Sequence, residues 1–400
     1  MIYKLFLLLI LVSLFSCKDD DPIAITNPYS DIYNLPNTPY NYSAINFPST
    51  FNNYVLGLDN TPDDNQLTDN GATLGRVLFY DKKLSINNTI SCASCHIQEF
   101  GFSDPAQKSE GFGGEHTRRN SMNIANSGFY VPKKFFWDHR SATLEDQVLM
   151  PLEDDIEMGM TLELVIKRVS ENNYYKPLFK NAFGSEEVTS NKISKALAQF
   201  VRSIFSFNTK YDIGIEATNN IFEDFPNFTA QENLGKDIFN GKLTPLANGT
   251  CLFCHMANEN LRPNIPFNPN EVNQIIFSGL RAHNIGLDED DRGDTDNGLG
   301  EITGVASDNG QFKTPSIRNI ELTSPYMHDG RFNTLEEVVE HYSTGVKDHP
   351  FLSGHMINGD GTPRHLNLSE VEKAALVAFL KTLTDNTMIT EEKYANPFTQ

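Results

Sequence analysis

Apolar residues recur at three- and four-residue steps in four stretches of the chain, which is the period of an amphipathic helix. These stretches are residues 161–170, 191–207, 335–342 and 369–383. The predicted buried face of the second stretch consists of Ile193, Leu197, Phe200, Val201 and Ile204. The pattern predicts a mainly α-helical protein.

One helical segment occurs twice, which indicates two similar domains. Leu74-Gly75 opens one copy and Leu234-Gly235 the other, 18 and 17 residues before the first cysteine of a Cys-x-x-Cys-His motif. In the second copy Thr229 and Glu232 have the spacing of a capping box, and Gly241 is the expected helix end. We expect the apolar positions of each copy to face the group bound by the motif that follows.

The chain starts with the features of an export signal. Lys4 precedes an apolar run over residues 5–14, which is too short to span a bilayer, since that takes ~20 residues. Residues 14–17 resemble a lipobox, which implies cleavage of residues 1–16 and lipidation of Cys17; a plain secretory signal is the alternative. The Lys-Asp-Asp-Asp sequence that follows resembles the export signal of bacterial surface lipoproteins. We expect an outer-membrane lipoprotein facing the periplasm or the cell surface, bound to the membrane only by its lipid. Residues 17–62 are interpreted as a tether.

The excess of acidic residues limits the kinds of molecule that the protein is expected to bind. The 400 residues include 52 Asp and Glu against 32 Lys and Arg, and no basic patch is present, so nucleic acid is not expected as a partner. The acidic surface serves solubility or attracts a basic electron donor. The acidic stretch 288–296 lacks the glutamate that an EF-hand has at position twelve, so it is interpreted as a solvated surface loop.

The Cys-x-x-Cys-His motif attaches a c-type haem: each thiol bonds a vinyl group and the histidine binds the iron. The residues are Cys92, Cys95 and His96 in the first copy and Cys251, Cys254 and His255 in the second. A zinc ribbon and two disulfides are the alternatives, but the pairs of a zinc ribbon usually lie ~15–20 residues apart. Haem accounts for four of the five cysteines and leaves Cys17.

Six further motifs surround the two haem sites. They are Arg119-Asn120, Phe136-Trp137-Asp138-His139-Arg140, Leu144 to Gln147, Glu157-Met158, Lys313 to Asn319, and Tyr326 to Gly330. With the haem motifs they resemble the bacterial di-haem cytochrome c peroxidase and MauG family over about residues 65–385. The resemblance implies two cytochrome c-like haem domains in tandem, with a calcium site at their interface. The domains would be 63–215, which reacts with peroxide, and 216–386, which relays electrons, followed by a tail at 387–400.

The resemblance also implies residue roles. His96 and His255 would be the proximal iron ligands, and Arg140 would contact a haem. Glu157 would move a proton from the near to the far oxygen of hydrogen peroxide, which makes water the leaving group. Gln147 would position the peroxide, and Trp137 would carry an electron hole between the haems. Without the resemblance, Glu157 would be interpreted as a surface charge and Trp137 as a core aromatic.

A calcium site is implied at Asn120, Thr323 and Pro325. Amide and carbonyl oxygens are hard ligands of the kind that calcium prefers.

Two positions depart from the ordinary peroxidases. These have methionine as the second ligand of the relay haem, where this chain has Tyr342, as MauG-type proteins do. A tyrosinate would suit storage of an oxidising equivalent, whereas a thioether raises the potential; His341, Met327 and Met356 are the alternative ligands. Many peroxidases block the resting peroxide site with a histidine, where this chain has Phe112. We therefore expect an open site, with His116 as a surface or structural residue.

Three functions fit these features. The first is reduction of hydrogen peroxide with electrons from a small cytochrome or cupredoxin. The second is MauG-like oxidation of aromatic residues in a partner protein, which Tyr342 and Phe112 favour. The third is non-catalytic electron transfer, against which Gln147 and Glu157 argue. Members of this family often pair, so a homodimer is a further expectation.

Overall fold

The computed structural model describes residues 29–130, 133–242, 251–255, 275–289 and 296–399. The predicted signal peptide and Cys17 lie outside these residues, as does the centre of the acidic stretch 288–296. Within the described ranges, no helix is long and apolar enough to cross a membrane.

The described part of the chain is mainly α-helical, as the hydrophobic period predicts. The helices of the first half are α1 (Asn53–Leu56), α2 (Asp69–Tyr80), α3 (Cys92–Cys95), α4 (Leu144–Gln147), α5 (Met150–Glu153), α6 (Leu162–Glu171), α7 (Tyr175–Phe183) and α8 (Ser190–Arg202). Those of the second half are α9 (Lys210–Thr218), α10 (Ala230–Asn240), α11 (Cys251–His255), α12 (Leu299–Thr303), α13 (Leu335–Glu340) and α14 (Glu370–Lys381).

The four predicted helices are confirmed as α6, α8, α13 and α14, with small shifts at their ends. Helix α8 stops at Arg202 rather than Phe207, and α13 continues as a π-helical turn over His341–Gly345. All five residues of the predicted face of α8 and its extension are buried. The only sheet in the described residues is a short antiparallel pair, β1 (Ala282–His283) and β2 (Phe312–Lys313), with Ala282 opposite Lys313.

The two repeat copies fold in the same way, because a glycine lets each opening helix touch the last helix of its own domain. A Cβ on Gly75 of α2 would lie 2.0 Å from the Ala196 carbonyl oxygen of α8. A Cβ on Gly235 of α10 would lie 1.9 Å from the Ala375 carbonyl oxygen of α14. No side chain fits at such distances, so glycine sets both helix crossings. The predicted capping box and the helix end at Gly241 are also confirmed.

Each helix pair organises its own hydrophobic core. Leu74, Val77 and Leu78 belong to the first core, with most of the apolar residues of α7 and α8. Phe239 belongs to the second, with residues of α13 and α14. The apolar residues of the repeated helix therefore pack largely against other helices. The expectation that they face the bound group applies best to Phe239, which also lines a cavity described below.

The prediction of a tether is wrong for residues 29–62. Tyr42 is only 1% exposed and packs in the first core, while Phe51 and Val55 are buried in the second. The Tyr42 hydroxyl donates to the Lys393 carbonyl at 2.6 Å. The apolar and aromatic residues of this polar segment therefore pack it against both domains.

The boundaries of the domains also differ from the prediction. The expected boundary at residue 215 falls inside α9, whose Tyr211 and Ile215 pack in the second core. The predicted tail returns to the first core, where Met388 and Tyr394 are buried. The Tyr394 hydroxyl donates to the Ser203 carbonyl at 2.6 Å. The N-terminal domain therefore ends before α9 and includes the end of the chain.

Candidate active site

The first Cys-x-x-Cys-His motif forms a short helix with a histidine at its end. Ser91 and Ser94 make a reciprocal capping box at the start of α3, and His96 is its C-cap. The His96 Nδ1 lies 3.0 Å from the Phe102 carbonyl oxygen. A carbonyl only accepts hydrogen bonds, so Nδ1 carries the proton and Nε2 is left to bind a metal. Burial lowers the pKa of His96, which keeps the ring neutral as a ligand must be.

The second motif repeats this arrangement. Helix α11 contains both cysteines and His255, whose Nδ1 lies 3.2 Å from the Phe277 carbonyl oxygen. Phe102 and Phe277 both have positive φ angles, 62° and 54°. The same backbone turn thus aims a carbonyl at each histidine.

The four thiols are unpaired and divided between two sites. Cys92 packs against the first core and Cys251 against the second. A zinc ribbon would bring both pairs to one ion, so the arrangement does not fit that alternative. It fits two separate haem groups, each held by two thiols and one histidine.

A cavity of about 230 Å³ opens beside the second motif. It is lined by Cys251, Cys254 and His255, and its lining is mostly apolar. Tyr342 lies in the π-helical turn after α13 and also lines it. The two thiols, the histidine and the apolar lining match the chemistry of a flat, covalently attached macrocycle.

Of the three alternatives to Tyr342 as the second iron ligand, the structure argues against His341. The His341 Nε2 is 3.0 Å from the Ile285 carbonyl, and His341 does not line the cavity. Met327 and Met356 do line it. Burial raises the pKa of Tyr342, so its ionisation would depend on the iron.

Glu157 lies near the first motif. Its charge raises the pKa of the Cys92 and Cys95 thiols, although their burial matters more. Burial and the nearby Asp154 carboxylate raise the pKa of Glu157 to about 7, against a smaller opposing effect of Arg140. A carboxyl with this pKa can both accept and donate a proton at neutral pH.

Asp154 and Phe112 hold the segment that carries Glu157. The Asp154 Oδ1 accepts from the backbone N–H of Glu157 at 3.0 Å and of Ile156 at 2.9 Å. The Phe112 N–H donates to the Glu157 carbonyl at 3.2 Å. A Cβ on Gly159 would lie 2.4 Å from the Phe112 ring. A ring that cannot bind iron therefore lies beside the candidate acid–base residue.

His116 and Gln147 are the two remaining residues expected near the peroxide site. His116 is exposed, with its Nδ1 3.2 Å from the Lys108 carbonyl, as expected for a surface or structural residue. Gln147 ends α4 and is partly buried. Its side-chain amide makes no hydrogen bond within the described ranges, so its assignment to the peroxide stays a prediction.

Trp137 borders the second site and is hydrogen-bonded to the chain segment that lies beside the first. Its Nε1 donates to the Asn120 carbonyl at 2.8 Å, and its indole lines the cavity of the second motif. Ser121, the next residue after Asn120, places its Oγ 3.2 Å from the His96 Nδ1. Short contacts therefore connect Trp137 with both haem sites.

Arg140 belongs to an ion-pair network that the sequence does not indicate. Its guanidinium lies 3.1 Å from Asp138 and stacks on the Phe136 ring. Asp138 also binds Arg119, whose Nε lies 2.6 Å from Asp296. The described end of the acidic stretch 288–296 is thus paired, and its interpretation as solvated is wrong at Asp296. The haem contact of Arg140 stays a prediction.

The three residues of the expected calcium site line one cavity wall. Asn120, Thr323 and Pro325 all border the cavity. The Asn120 Nδ2 faces the carbonyls of Ala106 and Gln107, 3.3 Å from each. Its Oδ1 is thereby left for another partner, and an amide oxygen suits a calcium ion.

These sites define a c-type cytochrome with two haem positions and a candidate acid–base residue at one of them. A sequence model described as di-haem cytochrome c peroxidase matches residues 69–220. The methylamine utilization protein MauG of Methylorubrum extorquens is 33% identical over 328 residues, 80% of each chain. The cytochrome c551 peroxidase of Nitrosomonas europaea is 32% identical over 317 residues, 78% of this chain and 79% of that one. The chain belongs to the di-haem cytochrome c peroxidase family.

Solved structures agree with this assignment. A MauG-like protein associated with microbial copper homeostasis has a TM-score of 0.70 and 34% identity, covering 85% of this chain and 96% of that chain. The di-haem peroxidase BthA of Burkholderia thailandensis has a TM-score of 0.60 and 20% identity, covering 83% and 90%, which supports the fold. The predicted family, helical fold, pair of c-type haems and peroxidase class of oxidoreductase are confirmed.

Proposed function

We propose that this peroxidase reduces hydrogen peroxide at the N-terminal haem, which is open in the resting enzyme, and that Tyr342 is the second ligand of the C-terminal haem. The observation that carries the proposal is that Tyr342 lines the same cavity as His255. The position of Phe112 beside Glu157 supports the open site.

When bound, the haems would provide the binding position for peroxide and pass on the electrons that a small cytochrome or cupredoxin supplies. Each peroxide consumes two electrons and two protons and forms two waters. Glu157 moves the proton. Its carboxylate accepts the proton of the near oxygen and donates it to the far oxygen, so that water leaves. A pKa near 7 serves both steps, because neither the acid nor the base form is scarce at neutral pH.

Trp137 carries the electron hole between the two sites. Indole is oxidisable, and its Nε1 hydrogen bond to the Asn120 carbonyl fixes the ring beside the cavity. Ser121 extends this contact to His96. Gln147 positions the peroxide, and Arg140 helps to hold the haem.

A MauG-like reaction is the second candidate, in which peroxide drives the oxidation of aromatic residues in a partner protein. Tyr342 and Phe112 favour it, because a tyrosinate stabilises an oxidised iron and an open site needs no prior reduction. The similarity to two proteins named MauG or MauG-like supports it as well. In the first candidate, by contrast, a small cytochrome or cupredoxin supplies the electrons.

Replacement of Tyr342 tests the ligand assignment. Tyr342→Phe should change the ferric absorption and paramagnetic-resonance spectra of the C-terminal haem, because it removes the only oxygen ligand. Tyr342→Met should raise the potential of this haem and increase turnover with a reduced cytochrome. Unchanged spectra in Tyr342→Phe would contradict the assignment and favour Met327 or Met356, and Met356→Leu is the matched control.

The proposal also includes calcium binding, export as a lipoprotein and formation of a homodimer. Asn120, Thr323 and Pro325 bind calcium, supported by the unengaged Asn120 Oδ1. The protein is an outer-membrane lipoprotein anchored through Cys17, supported by the apolar run and the lipobox. Metal analysis before and after chelation, and lipid labelling of wild type and Cys17→Ala, test these two assignments. Sedimentation tests the homodimer.

A further inference from the structure

Lys313 is a lysine whose charge has no counter-ion among the described residues. It ends β2, where its N–H donates to the Trp137 carbonyl at 2.7 Å. Its side chain lines the cavity of the C-terminal haem site. The Lys313 Nζ lies 3.4 Å from the Met122 sulfur and 3.6 Å from the centre of the Tyr130 ring. Neither contact neutralises an ammonium group.

The other charged side chains that border the cavity within the described ranges already have partners. Asp296 is paired with Arg119 at 2.6 Å, and Asp288 with Arg331 at 2.9 Å. Arg364, the other cation of the wall, donates to the Ile357 carbonyl at 2.7 Å. The acids of the wall are therefore not available to Lys313.

Lys236 shows how this chain satisfies a lysine that it buries elsewhere. Its side chain is 0% exposed, and its Nζ donates to the carbonyls of Ile221 at 2.8 Å and Glu223 at 2.7 Å. Asp237 adds a carboxylate at 3.3 Å. Lys313 has none of these partners, although burial lowers its pKa to about 7. Lys313 is only partly exposed, and a charge held partly away from water is stabilised by a partner of opposite sign.

The cavity supplies such a partner when haem is bound. Each haem carries two propionate groups, which are carboxylates, and a haem attached to Cys251 and Cys254 would lie in the cavity that Lys313 borders. We propose that Lys313 binds a propionate of the C-terminal haem. The inference rests on haem attachment at these two cysteines and is independent of Tyr342 ligation and of the identity of the substrate.

The pair has a consequence for Trp137, which lies in the same wall. An uncompensated ammonium beside the indole would oppose a positive hole on it, whereas an ammonium–carboxylate pair is neutral. Lys313 is therefore a positioning residue, which orients the haem edge and keeps the relay site electrically balanced.

Redox titration of the holoprotein tests this proposal. Lys313→Met and Lys313→Gln leave the propionate unpaired, which stabilises the ferric state. The midpoint potential of the C-terminal haem should fall by an amount equivalent to roughly tenfold in the reduction equilibrium, the scale of a hydrogen bond to a charged group. Lys313→Arg should keep the wild-type potential, since it retains the charge.

Lys167→Met is the matched control, because it removes an equal charge from a side chain that is 67% exposed. It should leave both potentials unchanged. The propionate bending mode in resonance Raman spectra of the C-terminal haem should shift in Lys313→Met and Lys313→Gln alone. Covalent attachment lets all variants be compared at equal haem content. Unchanged C-terminal potentials in both neutral variants, or a shift confined to the N-terminal haem, would overturn the proposal.

Discussion

Replacement of Glu157 by glutamine should abolish proton transfer while leaving both haems attached. Glutamine has nearly the same shape but cannot accept the peroxide proton. General acid–base catalysis contributes about 10²–10⁴-fold to rates, so peroxide turnover should fall by that factor. Stopped-flow mixing with hydrogen peroxide measures it directly.

The pH dependence of the reaction with peroxide tests the same role of Glu157. Only the carboxylate form accepts a proton, and burial together with Asp154 raises the pKa of Glu157 to about 7. The rate constant with peroxide should therefore rise about tenfold from pH 6 to pH 8 in the wild type and stay flat in Glu157→Gln. Asp154→Asn keeps the oxygen that accepts from Glu157 N–H but removes the charge, so the rise should move to lower pH.

The same pKa shift predicts a change in stability. A carboxyl whose pKa is raised in the folded state favours folding below the unfolded value near 4.5 and loses this contribution as pH rises through about 7. Glu157→Gln should therefore raise the free energy of unfolding at pH 8 by up to about 3 kcal/mol, at ~1.4 kcal/mol per pKa unit. Chemical denaturation at pH 5 and pH 8 checks it. The control for the unfolding experiment is Glu153→Gln, which changes an exposed residue of α5. A Glu157→Gln enzyme with wild-type turnover and pH profile would refute the catalytic assignment of Glu157.

Three further predictions follow from the packing around the sites. Phe112→His should make the reaction of the oxidised enzyme with peroxide depend on prior reduction, which stopped-flow absorbance detects, whereas Phe112→Leu should not. Trp137→Phe should slow electron transfer between the haems while the first reaction with peroxide keeps its rate, as seen by flash reduction. Gly75→Ala should lower the free energy of unfolding by about 1–3 kcal/mol, because its Cβ would overlap the Ala196 carbonyl; Gly113→Ala, in open space, is the control for denaturant unfolding.

The sequence predicts features that depend on neighbouring residues. The helices are predicted by apolar residues that recur every three to four positions, and the haem sites by a motif of five consecutive residues. The sequence shows Gly75 and Gly235 at nearly the same distance before the two haem motifs, but their role in the helix crossings is seen only in the structure.

Features that depend on distant pairs could not be predicted in this way. Asp296 pairs with Arg119 across 177 positions, and nothing near Asp296 distinguishes it from a solvated acid. Phe51 and Val55 lie in a polar segment whose composition predicts a tether, yet both fill the second core. The isolation of Lys313 is visible only after the acids around it are seen to be paired with arginines.

The role of Asp154 also emerges only in three dimensions. Its carboxylate caps the turn before Glu157, and after burial it is the next cause of the raised pKa of that residue. Residues 153–155 are all acidic, and the sequence does not distinguish which of the three lies close enough to Glu157 to affect its pKa. A chemical role for Asp154 thus rests on the geometry of one turn.

The reaction of the fully oxidised protein with hydrogen peroxide tests the central claim most directly. One equivalent of peroxide is mixed with the calcium-loaded enzyme without any reductant, and the absorption bands of both haems are followed in time. An open site beside Phe112 and Glu157, with Tyr342 on the second haem, predicts a fast change in both haems and a long-lived oxidised state. No reaction until one electron is supplied would contradict the claim, because it would mean that the resting peroxide site is blocked.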